Sequence, residues 1–452
     1  MVLGGGVSGL CAAWRFIEND FDVEVYEKNL FVGGLASTIR IDDYFMDFGP
    51  HPFYSDDEYI LSTYKELIGD DLLSFERDCL LLFNDSYIHY PPEPKDVLFN
   101  MGINTSLLST LSYFKSKVKN SLRITENTSF ENWAINNFGA HLYKIFFKPY
   151  TENFWKVSPD QLSSDWADAR VARLNLVKAI KLLFFRGKTG SGLNQIERDT
   201  LPLYYPVYGC GVLPERIAEK VKIKGGRIYL NKEITQINLT SSDKCSIVVG
   251  SKGEGHVVEA DLLISTLPLK HLVKMTRPIP DIDTRQKADS LKSLGLIIIF
   301  LAINKEDVLP VSYLYCMDRT YHRITEYNKF SEKLSPEGEN LLSLEISGYE
   351  GNKFWRTPND ELIEICINEL TNDGYIKRDN IMRSFVFKSS SVYPVYFLGY
   401  QDKLNKINDY YTRYDDTFHL LGRSGQYNYI DQDQAMKMGF NLAEKMMKKF
   451  ES

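Results

Sequence analysis

A chain of 452 residues, 44% of them hydrophobic, is long enough for two or three domains with a sizeable core. Its net charge of −7 lacks the basic footprint of a nucleic-acid binder. No apolar run reaches the roughly 20 residues that a bilayer span needs. The cysteines Cys11, Cys79, Cys210, Cys245, Cys316 and Cys366 lie far apart, without a C-x-x-C pair. That spacing predicts reduced thiols, a cytoplasmic setting and no structural metal. The histidines do not cluster either, so no metal site is expected. No leader is expected ahead of the first glycines.

Taken in chain order, the N-terminus reads Leu3-Gly4-Gly5-Gly6-Val7-Ser8-Gly9-Leu10, and Gly4, Gly6 and Gly9 fit the G-x-G-x-x-G dinucleotide fingerprint. The pattern is weak alone, but here it opens a helical run from Val7 to Ile17. An alternating strand follows, ending in Glu27-Lys28. An acid about 20 residues past the loop is where a ribose-binding carboxylate belongs. Gly4 permits the tight turn, Gly6 lets backbone approach a pyrophosphate, and Gly9 lets helix and strand pack closely. The helix N-terminus, with the N–H groups of Val7 and Ser8, then faces the phosphates. A second glycine turn, Gly33-Gly34-Leu35, follows the acidic strand. That addition resembles the flavoprotein form of the fingerprint and implies FAD, held non-covalently.

Further along, about 95–200 reads as a helical insertion. Residues 207–240 give a Tyr-Gly-Cys-Gly turn, a helix from Val212 to Lys222, and strands at Arg227–Leu230 and Ile234–Leu239, with Ile234 counted among the cofactor contacts. Asp261–Pro268 reads as a strand returning to the sheet, and the apolar run Leu294–Ile303 as a buried strand. Phe418–Leu421 reads as a strand running into Gly422-Arg423, followed by a helix from Asp433 to Lys449. The expected fold is α/β: a discontinuous Rossmann-type FAD-binding domain (1–95, 205–268 and 416–452), a helical insertion (96–204) and a mixed β-sheet substrate domain (269–415).

The segment Gly422-Arg423-Ser424-Gly425-Gln426-Tyr427-Asn428-Tyr429-Ile430-Asp431-Gln432-Asp433 precedes a helix, so N–H groups near Asp431 can meet a flavin edge or phosphate. Tyr427 and Tyr429 offer hydroxyls to a polar ligand, or are ordinary surface aromatics. This Gly-Arg-x-x-x-Tyr-x-Tyr-x-Asp-x-Asp pattern resembles the flavin-closing motif of the UDP-galactopyranose mutases, FAD enzymes related to protoporphyrinogen and amine oxidases. Asp47-Phe48-Gly49-Pro50-His51-Pro52-Phe53 is similar to their Gly-x-His-x-Phe segment beside the flavin ring. Tyr150-Thr151-Glu152-Asn153-Phe154-Trp155 resembles the mutase segment that lines the uridine and sugar pocket, with Lys156 where the family usually has glycine. Ser163-Ser164-Asp165-Trp166-Ala167-Asp168-Ala169-Arg170 resembles a block of oxidase relatives, and Arg323-Ile324-Thr325-Glu326 an element common to both groups. Leu291-Lys292-Ser293-Leu294 stands where mutases read Tyr-Arg-Ser-Leu; lysine keeps the charge of their diphosphate arginine but not its bidentate fork.

The resemblance implies a ring-size interconversion of a nucleotide-diphosphate sugar at reduced flavin, with an external reductant to activate it. Arg170, Lys292 and Arg423 would neutralise phosphate, Tyr427 and Tyr429 would position it, and His51 would lie by the flavin. Tyr150, Trp155 and Arg323 would contact substrate. Gly422, Arg423, Tyr429 and Asp431 would close the cofactor site. The alternative is an FAD oxidoreductase of the amine or protoporphyrinogen oxidase kind, acting on a C–N or C–C bond.

Overall fold

The computed structural model describes residues 1–83, 86–89, 103–121, 128–167, 201–240, 244–250 and 255–450, and counts below refer to these. The chain divides into two compact units: 1–73 with 204–292 and 400–452, and 74–203 with 293–399. Residues 96–203 and 293–399, expected in separate parts, thus share the second unit, which also takes 74–95, expected in the FAD-binding domain, while 204, 269–292 and 400–415 join the first.

The first unit is built on a five-stranded parallel sheet in the order 418–420, 263–265, 2–3, 24–26, 227–229. These strands come from four distant stretches, as the dispersed Rossmann-type pattern predicts. The strand before the glycines is Val2–Leu3, and Val7–Ile17 forms the helix the periodicity gives. Leu10, Val25, Ile264, Met436 and Phe440 are buried together, so the C-terminal helix Gln432–Phe450 packs into the same core. Ile234 opens a strand of a separate four-stranded sheet, in the order 256–260, 245–249, 234–238, 276–277.

The second unit holds a seven-stranded sheet in the order 381–394, 293–303, 340–348, 323–326, 313–316, 79–83, 86–89. Ser293–Ile303 runs antiparallel to a neighbour on each side and is buried almost throughout. Burial on both faces explains its unbroken apolar sequence. Two contacts explain how this unit is assembled. Strand Cys79–Phe83 pairs in parallel with Tyr313–Cys316. The helix Lys148–Trp155 is anchored on Asn340–Gly348, where the Ser347 hydroxyl donates to the Phe154 carbonyl at 2.5 Å.

Candidate flavin site

The glycine loop is shaped by contacts that exclude side chains. Gly4 has φ +100°, and a Cβ there would lie 2.2 Å from Thr266 Oγ1. A Cβ on Gly9 would lie 2.6 Å from the Gly4 carbonyl oxygen, so the helix seats directly on the loop. Around the Cβ position of Gly6 there is open space within 4 Å, the hollow that a phosphate needs. The first helical bond runs from Leu10 N–H to the Gly6 carbonyl at 2.9 Å. The N–H groups of Val7, Ser8 and Gly9 therefore have no intrahelical acceptor and point out of the helix start.

The second glycine turn closes over the first. Gly33 N–H donates to the Gly5 carbonyl at 2.8 Å, and Gly33 and Gly34 have φ +111° and +59°. Leu35 follows, partly exposed. Glu27 is buried, and both its oxygens accept from backbone: Oε2 from Gly5 N–H and Oε1 from Asn29 N–H, each at 2.8 Å. Its neighbour Lys28 is exposed. A buried carboxylate held by two neutral donors keeps lone pairs for ribose hydroxyls, and the hollow beside it suits a pyrophosphate. The residues present fit a dinucleotide.

The C-terminal motif seats on this loop. Gly422, at φ +79°, stands so close that a Cβ would lie 2.9 Å from Ser8 Oγ. A Cβ on Gly439 would lie 2.4 Å from the Ser8 carbonyl oxygen. Arg423 donates from Nε and Nη2 to the Ile430 carbonyl, and its guanidinium sits 5.1 Å from the Tyr429 ring centre. It closes its own turn. Asp431 accepts from the Tyr54 hydroxyl at 2.8 Å. Tyr427 sits at φ +51° and donates its hydroxyl to the Lys292 carbonyl at 2.5 Å. The Lys292 side chain is exposed and, among the described residues, has no ion-pair partner.

His51 is half-buried, and its Nε2 donates to the Phe48 carbonyl at 3.0 Å. The loop it rides on is anchored by Asp47. That carboxylate accepts from Thr38 Oγ1 at 2.6 Å, the Tyr205 hydroxyl at 2.5 Å and Cys210 N–H at 3.1 Å. Burial pushes the Asp47 carboxyl above its ordinary value, opposed by these donors.

The remaining candidates fall in the second unit. Trp155 is fully buried, edge-on to Trp166 with ring centres 4.8 Å apart and in contact with Phe154 and Tyr393. Tyr150 is half-buried on the same helix. Arg323 forms two 2.7 Å hydrogen bonds to the Glu345 carboxylate, with both side chains buried. Lys156 ends the helix at φ +55°, the left-handed position usually given to glycine, and its Nζ donates to Asn153 Oδ1 at 2.8 Å. Arg170 lies outside the described residues.

The model of the family described as flavin containing amine oxidoreductase matches residues 7–383. The chain belongs to this family. A probable UDP-galactopyranose mutase of Klebsiella pneumoniae is 24% identical over 190 residues, 39% of this chain and 45% of the relative. A chloroplastic protoporphyrinogen oxidase of Oryza sativa subsp. japonica is 25% identical over 299 residues, 62% of this chain and 54% of the relative. The chain thus spans about half the length of the curated relatives it matches. In fold it is similar to a crystal structure of reduced UDP-galactopyranose mutase, with a TM-score of 0.82, 22% identity, and coverage of 99% of this chain and 95% of the other.

Membership implies a flavin, and the cradle described above fits one. Three supporting residues carry no recognisable motif of their own. Thr38 and Tyr205 hold Asp47, and Tyr54 holds Asp431. The one sequence signal was an acid, Asp47, closing the otherwise apolar strand Tyr44–Asp47 ahead of Gly49 and His51. Its partners are far away in sequence.

Proposed function

We propose that this flavin enzyme holds FAD non-covalently and interconverts the pyranose and furanose forms of a nucleotide-diphosphate sugar. The observation that carries the reading is the Tyr427–Lys292 clamp. It holds the backbone of Lys292, whose side chain is exposed, against the motif that closes the flavin cradle, at the position where mutases carry their diphosphate arginine. A named relative of this kind, the Klebsiella pneumoniae protein, supports it.

The chain's own residues divide the work. Glu27 accepts from the ribose hydroxyls, and the N–H groups of Val7, Ser8 and Gly9 receive the cofactor pyrophosphate. Gly422, Arg423, Tyr429 and Asp431 close the cradle, and His51 borders the ring. Lys292 offers charge to the substrate diphosphate, which a site must pair because unpaired charge is costly to desolvate. When bound, reduced flavin supplies the nucleophilic and electron-donating chemistry that no side chain here can. Tyr427 positions Lys292 rather than phosphate, since its hydroxyl is given to the backbone. Trp155 and Arg323 belong to the framework of their own unit.

The longer match to the rice protoporphyrinogen oxidase favours a second reading, net oxidation of a C–N or C–C bond. Calorimetric titration of UDP into the photoreduced holoprotein separates the two. Wild type binds, and Lys292→Ala binds about tenfold or more weakly with FAD retained, because a hydrogen bond to a charged group is worth about 1.5–3 kcal/mol. No binding by wild type, together with stoichiometric hydrogen peroxide during turnover, replaces the mutase with the oxidase.

A further inference from the structure

The helix Ile103–Ser121 carries an apolar face that is exposed among the described residues. Its inner face is fixed by close packing. Tyr113 and Ser116 are buried, and Ser112 Oγ accepts from His141 N–H at 3.0 Å. A Cβ on Gly139 would lie 2.6 Å from Tyr113 N, so backbone meets backbone on this side. On the opposite side, Leu107, Leu111 and Val118 are 58%, 58% and 62% exposed. At about 100° per residue these three fall within roughly 40° of one another. Phe114 borders them and Leu108 lies about 80° from their centre; both are also exposed.

The flanks are basic. Lys115 lies about 60° to one side of the stripe's centre and Lys117 about 100° to the other, with Lys119 beyond Lys115. The helix has no acidic residue, within a chain of net charge −7. A second copy packed face to face on this stripe would bring lysines against lysines. An anionic lipid surface accepts both features: the leucines and valine enter the acyl boundary while the lysine stems reach headgroup phosphates. We infer that this helix rests on an anionic membrane surface. The attachment is in the plane of the interface, consistent with the absence, among the described residues, of a helix long and apolar enough to cross a membrane.

The test is flotation of the FAD-loaded full chain with vesicles of phosphatidylcholine alone, or of phosphatidylcholine carrying phosphatidylglycerol. Wild type floats with the anionic vesicles and not with the neutral ones. Leu107→Glu with Leu111→Glu lowers the bound fraction tenfold or more, while near-ultraviolet circular dichroism and flavin content stay unchanged, because both positions are exposed. Lys115→Gln and Lys119→Gln each weaken binding about fivefold, the effect of about 1 kcal/mol per basic residue near an anionic surface. Failure of wild type to float, or equal flotation of the double glutamate variant, overturns the inference. A lipid-free dimer in sedimentation that the glutamates dissolve also overturns it and gives the stripe to a second copy.

Discussion

Glu27 in the first unit and Arg323 in the second are both buried charged residues in recognisable motifs, yet their surroundings are opposite. Glu27 is held by two backbone N–H donors, Gly5 and Asn29, beside an open hollow at Gly6. Arg323 is held by the opposite charge of Glu345 through two hydrogen bonds. Neutral donors orient a carboxylate without neutralising it, so it stays available to a ligand. A buried ion pair consumes the charge of both partners. A motif residue is therefore committed to binding or to the fold by its partner, not by its own chemistry.

The largest effect that tests this contrast is Glu345→Ala. Removing one partner of a buried pair strands the other charge, at a cost of about 3–5 kcal/mol. Urea unfolding followed by tryptophan fluorescence reads it, and Glu345→Leu combined with Arg323→Met recovers most of the loss. A cost under about 1 kcal/mol would mean that Arg323 is available after all.

Next is Glu27→Ala, which leaves the buried Gly5 N–H and the partly buried Asn29 N–H short of an acceptor and costs about 1–3 kcal/mol. Its larger consequence is functional. Flavin retained through desalting falls tenfold or more at conditions where the apoprotein is still folded. Full occupancy of this variant would break the comparison, since Glu27 would then serve only the loop.

The smallest effect sharpens it at a third charged residue, Lys156, which has one neutral acceptor, Asn153 Oδ1, and, among the described residues, no ion-pair partner. Its left-handed backbone costs a side chain about 1 kcal/mol or more. Burial also lowers its ammonium from the ordinary 10.5 to about 8. Above about pH 8 the native state sheds this proton, while the unfolded chain keeps it until about 10.5. The unfolded state then binds more protons, so this residue's contribution to stability rises with pH across that window and is lost as pH falls through 8. Lys156→Gly should melt higher by an amount equivalent to about 1 kcal/mol at neutral pH. It should also lack the rise. Parallel pH slopes of Tm for the two proteins would exclude a buried, depressed lysine.

The glycine loop was legible because its requirements are local. Gly4, Gly6 and Gly9 are demanded by backbone angles and close approaches over a few residues, and Glu27 follows at the distance of one helix and one strand. The helix Val7–Ile17 and the strand Ser293–Ile303 were legible for a similar reason, because periodicity and apolar content report burial directly. Trp155 shows the limit. Its motif resembles a pocket wall, but edge-on contact with Trp166 makes it core, and an aromatic ring reads alike in either place.

By itself, then, the sequence determined the parallel sheet and the geometry of its glycine loop, since short-range steric demands leave few alternatives to glycine and to a well-spaced acid. Tertiary structure alone decided which charges are spent. Whether Arg323 meets Glu345, whether Arg423 closes on Ile430, and whether Tyr427 reaches Lys292 depend on pairings formed only when distant segments fold together. Side-chain identity states what a residue can bind, and the partner brought to it by the fold states what it does bind.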